Sequence, residues 1–312
     1  MGYRVFVQSY SVKTGNLYKN KFIGVFTVKV AVIGANGQLG TELCLQFAEK
    51  HRVFPLTHGD IEVSDIDDVS SVLNEIKPNL VVNTAAFHNL PECEKNPELS
   101  FRVNSIGALN LAKITSQIGA KLVHYSTDNV FDGTRKQPYL ESDKTAPLNI
   151  FGLTKLNGEI IIKNYSSRHF ILRLSGIYGT TACRARGKNF ITMMQNAAVE
   201  KEVVKVTEDE ILSPTPVEEI VRNTLLLSET EAYGLYHMTC EGECSWFDFA
   251  RVIFRELNLK TPLISCKRDE FTSTVKHPAY RVLENYNLKT VDLNRMPHWE
   301  EALVTYLRNE IL

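Results

Sequence analysis

The sequence predicts an α/β chain: a doubly wound parallel sheet followed by a smaller C-terminal lobe. Two observations carry this. Short apolar, β-branched runs alternate with segments of helical period, and the first run ends in a glycine-rich turn that leads straight into a helix. Residues 28–33 (VKVAVI) form the first run, stopping at Gly34, and Leu39, Leu43 and Phe47 follow at helical spacing. Residues 52–56 read as a second strand, 66–76 as an amphipathic helix and 79–83 as a buried strand. The pattern repeats with a helix over 108–118, a strand over 121–125, a helix over 154–164 and a strand over 169–174. Strands that are apolar throughout rather than alternating are those of a sheet covered on both faces. A further helix over 246–257 belongs to the smaller lobe. The expected division is an N-terminal extension (1–27), a sheet domain (28–174), and a lobe (175–312) from which some segments return to the sheet.

The chain has 312 residues, enough for both parts. Its 35 basic and 36 acidic residues nearly balance, which points away from nucleic acid and from an anionic membrane and toward a small-molecule ligand. No apolar stretch approaches the roughly 18 residues of a membrane span. The six cysteines are scattered without zinc-ligand spacing, so no metal site is expected and a reduced, cytoplasmic chain is. Residues 1–27 carry Arg4, Lys13, Lys19 and Lys21 without an acid. Gln8, Ser9, Ser11 and Lys13 break any signal-peptide apolar centre, so this stretch reads as an extension.

The first chemical signal is Gly34-Ala35-Asn36-Gly37-Gln38-Leu39-Gly40. Gly34 allows a tight turn, Gly37 lets backbone approach a pyrophosphate, and Gly40 lets the helix pack closely. The helix N-terminus then offers N–H donors to the phosphates. A Rossmann-type dinucleotide site follows from this strand–turn–helix context. At the end of the second strand, Leu56 runs into Thr57-His58-Gly59-Asp60, with neither the acid of a strict NAD site nor an arginine. His58 is a candidate contact for a 2′-phosphate, a plain surface-loop histidine being the other and preferred reading; NADP(H) is the expected cofactor and NAD(H) the alternative.

Further segments extend the pattern: Asn83-Thr84-Ala85-Ala86, Phe87 to Glu94, Phe101-Arg102-Val103-Asn104, Ser126-Thr127-Asp128, Asn149 to Lys155, Arg173 to Gly179, Leu212 to Thr215, and His277-Pro278-Ala279-Tyr280. In this order and spacing, residues 28 to 307 resemble the dTDP-4-dehydrorhamnose reductases, a branch of the extended short-chain dehydrogenase/reductases. The resemblance implies reduction of a nucleotide-linked 4-keto-6-deoxy sugar and allows a homodimer. It assigns Gly34, Asn36, Gly37, Gln38, Leu39, Gly40, Asp60, Ile61, Ala85, Ala86, Asn104, Ser126 and Lys155 to the cofactor, Asp60-Ile61 lying at the adenine. In such enzymes a tyrosine phenol protonates the keto oxygen, beside a serine or threonine hydroxyl and a lysine ammonium. Thr127 and Lys155 match two of these groups.

Here the chain departs from its relatives. Phe151 stands where the family's tyrosine would be, keeping the ring and losing the proton, and Asn129 replaces a second tyrosine after the Ser-Thr-Asp segment. His88, or a water held by Thr127 and Lys155, is the replacement donor that the sequence offers. Asp128, Asn129, Arg184, Arg186, Asn189 and Phe190 are expected at the substrate, the arginines to pair a diphosphate and Phe190 to stack on a base or sugar. Tyr125 is expected in the core and Tyr178 at the pocket wall. A second reading is a catalytically impaired NADP-binding regulatory subunit resembling the methionine adenosyltransferase β subunit, a member of the same family whose motif keeps the tyrosine. A sugar-nucleotide epimerase fits less well, given the Ser-Thr-Asp segment and the short lobe.

Overall fold

A computed structural model describes residues 28–181, 187, 189–271 and 275–310. The N-terminal extension, Arg184 and Arg186 lie outside the described residues.

Six parallel strands build the central sheet: β1 (Lys29–Ile33), β2 (Arg52–Leu56), β3 (Leu80–Asn83), β4 (Lys121–Thr127), β5 (His169–Leu174) and β6 (Gly234–His237). Their order across the sheet is β6-β5-β4-β3-β1-β2. Chain direction across the sheet reverses between β1 and β3, the switch point at which open α/β sheets leave a crevice. Successive residues of β1 serve opposite cores. Val30 and Val32 pack with helix α1 (Gln38–Phe47), while Ala31 and Ile33 pack with α2 (Ile66–Ile76), α3 (Gly107–Gln117) and α4 (Ile150–Tyr165). This is the two-residue period of a strand buried on both sides.

α4 begins four residues earlier than helical periodicity alone suggests. Asn149 caps it, accepting the Gly152 N–H at 2.8 Å, so Phe151 and Lys155 share one helix face a turn apart. The segment after β5 builds the opposite wall of the crevice from the starts of α5 (Phe190–Glu200) and α7 (Trp246–Glu256), with α8 (Trp299–Glu310) packed on α7. Between α5 and α7, the chain returns to the sheet: α6 (Val217–Ser228) packs on α1, and β6 pairs with β5. Among the described residues, no helix is long and apolar enough to cross a membrane.

Candidate functional site

A cleft of about 2010 Å³ runs along the C-terminal ends of β1, β3, β4 and β5. That is about twice the roughly 1,000 Å³ upper end for a single small-ligand pocket, leaving room for two ligands end to end.

At one end lies the glycine turn. Gly34 has a φ of +79°, and a side chain at Gly40 would place its Cβ 2.2 Å from the Gly34 carbonyl oxygen. The Gly37 N–H donates to that same oxygen at 2.9 Å. α1 starts with no side-chain cap and no acid in its first turn, so its leading N–H groups face the cleft without a competing anion. Gln38 is buried and its Nε2 has no hydrogen-bond partner, an amide donor left over at the turn. An open cradle of donors next to an orphaned amide fits a pyrophosphate. Gly40→Ala should therefore force the turn apart, costing about 1–3 kcal/mol of stability and weakening NADPH binding about tenfold or more in calorimetric titration. Unchanged affinity would count against this end as the cofactor site.

Next along the cleft come Thr84, Ala85, Ala86 and the exposed His88, whose Nδ1 lies 3.2 Å from the Ala86 carbonyl. Ile61 lines the wall beside His58 and Glu62. His58 faces Glu62 at 3.3 Å and is largely exposed. The Asp60 carboxylate instead closes its own turn, accepting from the Thr57 N–H (2.8 Å) and hydroxyl (2.6 Å). Asn104 sits in a π-helical turn (Arg102–Ile106) and clasps the backbone of Phe87, accepting its N–H and donating to its carbonyl, both at 2.9 Å. Its amide thus holds the His88 loop, with Thr154 as a further partner at 3.0 Å.

Thr127, Asp128, Asn129, Phe151 and Lys155 line the middle of the cleft. Thr127, Asp128 and Asn129 are buried where β4 ends. The Thr127 hydroxyl donates to Asp128 (3.0 Å), and Asn129 Nδ2 donates to Asp128 (2.7 Å) and to Thr127 (3.2 Å). Ser175 donates to the other Asp128 oxygen at 2.8 Å, and Asn149 donates to Asn129 at 3.1 Å. Asp128 and Asn129 thereby brace Thr127 and the start of α4. Phe151 lines the cleft a turn before Lys155. Lys155 is buried, its Nζ 3.1 Å from Nε2 of His124, whose Nδ1 is 3.0 Å from the Asn83 amide nitrogen. Burial pushes the Lys155 ammonium down to about 8, opposed by the charge of Glu159. His124 is held well below the usual histidine range by burial and then by the Lys155 charge.

Behind Lys155, Ser126 donates at 2.5 Å to Glu159, which binds Arg173 in a two-point pair at 2.9 and 2.7 Å. Both charged side chains are almost wholly buried. The Arg173 guanidinium also lies 5.0 Å from the centre of the Phe131 ring.

At the far end, Asn189 caps α5 through the Thr192 N–H (2.8 Å) and holds the Gly179 carbonyl (2.7 Å). Phe190 lines the cleft but packs 4.5 Å from Trp246, centre to centre. Tyr178 is in the core rather than at the pocket wall, packed against Phe249 and Tyr306, because in its two-residue strand Ile177 takes the cleft side and the next side chain points the other way. Tyr125 is buried as expected, bonded to Thr224 at 2.9 Å. Sequence reasoning missed His124, Glu159 and Arg173 behind the lysine, and Trp246 and Arg281 in the cleft wall.

The family model described as the RmlD substrate binding domain matches residues 28–311. Spore coat polysaccharide biosynthesis protein SpsK of Bacillus subtilis is 36% identical over 90% of this chain and 97% of its own length. The dTDP-4-dehydrorhamnose reductase of Escherichia coli is 31% identical over 91% of this chain and 98% of its own. The crystal structure of dTDP-4-dehydrorhamnose reductase from Bacillus anthracis in complex with NADP superposes with a TM-score of 0.86 at 35% identity, covering 90% of this chain and 99% of that one. With the glycine turn, the parallel sheet and the Thr127–Lys155 pair in their places, the chain belongs to the RmlD substrate binding domain family, that of the dTDP-4-dehydrorhamnose reductases.

Proposed function

We propose that this chain reduces the keto group of a nucleotide-linked 4-keto-6-deoxy sugar with NADPH. The observation that carries the reading is one continuous cleft, running from the uncapped glycine turn to the helix face that bears Phe151 and Lys155. Bound there, a nicotinamide cofactor supplies hydride. The names of the relatives, and the NADP in one of their crystal structures, support the choice of substrate and cofactor.

The chain's own residues divide the remaining work. The α1 N-terminus and Gln38 hold the pyrophosphate, and Ala85 and Ala86 leave space for the adenosine ribose. Lys155 holds the nicotinamide ribose, and Thr127 orients the keto oxygen once its hydroxyl turns from Asp128. The wall of Asn189, Phe190, Trp246 and Arg281 takes the nucleotide end of the sugar. Phe151 leaves the oxygen without the family's phenol.

Adding dTDP-4-keto-6-deoxy sugar to the protein with NADPH should produce NADPH oxidation and the 4-hydroxy sugar. The other reading is the NADP-binding regulatory subunit. Tight NADPH binding with no turnover, together with co-purification of a methionine adenosyltransferase, would select it.

A further inference from the structure

We propose that Lys155 is itself the proton donor to the substrate oxygen, and that His124 is the positioning residue that fits it for this. The inference rests on the reductase reading above, and it answers what replaces the phenol lost at Phe151.

Asn83 at the end of β3 stands beside His124 of β4 in the sheet. Asn83 Oδ1 accepts the Ala85 N–H at 3.1 Å, which turns Asn83 Nδ2 toward His124 Nδ1 at 3.0 Å. The opposite orientation of that amide would set two donors against each other at Ala85. Nδ1 of His124 is therefore an acceptor. The ring is completely buried, which disfavours the charged form, so it carries one proton, and that proton sits on Nε2. Nε2 points at Lys155 Nζ, 3.1 Å away. A donor facing Nζ needs a lone pair there, so the contact belongs to the neutral amine. It is a place that receives the lysine after its proton has gone.

The other charged groups around Lys155 do not undo this. Glu159 faces it from its own helix, but both carboxylate oxygens are held by Arg173 of β5 and one also by Ser126 of β4. His124 is the titratable group in direct contact from β4. Stabilising the neutral amine makes the ammonium a stronger acid, adding to the burial that already pushes Lys155 down to about 8, and an acid works best when it titrates near the working pH.

In the step itself, hydride from the nicotinamide forms a C–H bond at the keto carbon. The carbonyl π pair becomes a lone pair on an alkoxide oxygen. One N–H bond of the Lys155 ammonium breaks as the O–H bond forms. The amine left behind accepts Nε2–H of His124, and water entering the cleft returns the proton.

Two readouts test this without turnover. In the full-length, nitrogen-15-labelled protein free of cofactor, long-range NMR correlations should show His124 protonated at Nε2. A proton on Nδ1 overturns the proposal. The titration of Lys155, followed as pH-dependent acylation by peptide mass spectrometry, should move up by about one pH unit in His124→Leu, the loss of one hydrogen bond to the neutral form. If His124 instead accepted from the ammonium, the midpoint would fall. Should His124→Leu not fold, Asn83→Leu frees the tautomer and should raise the midpoint in the same direction; no rise overturns the proposal. In turnover, kcat at saturating NADPH should fall about tenfold per pH unit above the Lys155 midpoint. An Nε2-protonated ring in a protein that reduces no keto sugar would sink the reductase reading, and the proton donor with it. An Nδ1-protonated ring in an active reductase sinks this proposal alone.

Discussion

Replacing Phe151 with tyrosine should raise kcat for keto-sugar reduction by about tenfold to a hundredfold, with NADPH affinity nearly unchanged. General acid catalysis contributes about 10² to 10⁴ in rate, or roughly 3 to 5 kcal/mol of barrier. The expected gain sits at the low side because the Lys155 ammonium already delivers protons, though from a position suited to the ribose. The new hydroxyl would stand one turn before Lys155 on the same face of α4, where the ammonium lowers its pKa toward neutral. Steady-state kinetics of the two proteins, side by side, checks this. An equal kcat would mean that proton delivery does not limit the reaction and that the phenylalanine is neutral to the chemistry.

Glu159→Ala should cost the fold about 3–5 kcal/mol, a large share of the roughly 5–15 kcal/mol that holds a domain together. The cause is what remains rather than what is removed. Arg173 would stay buried against Phe131 with no carboxylate, and the Ser126 hydroxyl would lose its acceptor. The double variant Glu159→Leu with Arg173→Met should recover most of the loss, because an apolar pair needs no desolvation of charge. Urea titration of the single and double variants decides it. A single variant within 1 kcal/mol of the parent would mean that water reaches the pair, contrary to its burial.

Why was the frame legible in the sequence, and its back wall not? β1 and the glycine turn are local: an apolar run, three glycines and a helical period lie within 20 consecutive residues and need no partner to be recognised. Thr127 and Lys155 came through by resemblance, since each lies in a segment with its own order and spacing. The start of α4 was missed because the cap at Asn149 sits before the apolar period begins, so periodicity alone places the boundary too late. His124 and Arg173 were visible as polar residues inside strands otherwise apolar, which is the anomaly that a buried network leaves in a sequence. Their partners were not visible. His124 meets Lys155 across 31 positions and Arg173 meets Glu159 across 14, through strand and helix contacts that no local spacing encodes. Asp60 shows the converse. Its place in the motif was recognised, but its carboxylate is taken up by Thr57 three residues earlier.

The late return of β6 to the sheet bears on how the chain must be made. β5 exposes a full row of backbone donors and acceptors until residues 234–237 arrive, more than 60 positions later, and α1 lacks its covering helix until residues 217–228 do. Bridging such distances before any contact rewards it slows folding. A growing chain that has emerged only as far as β5 carries an open strand edge, the kind of template on which other chains pair and aggregate. Separate expression of the two halves should for the same reason fail. The part that binds the cofactor cannot finish its own sheet, and synthesis of the substrate wall is a condition for closing it.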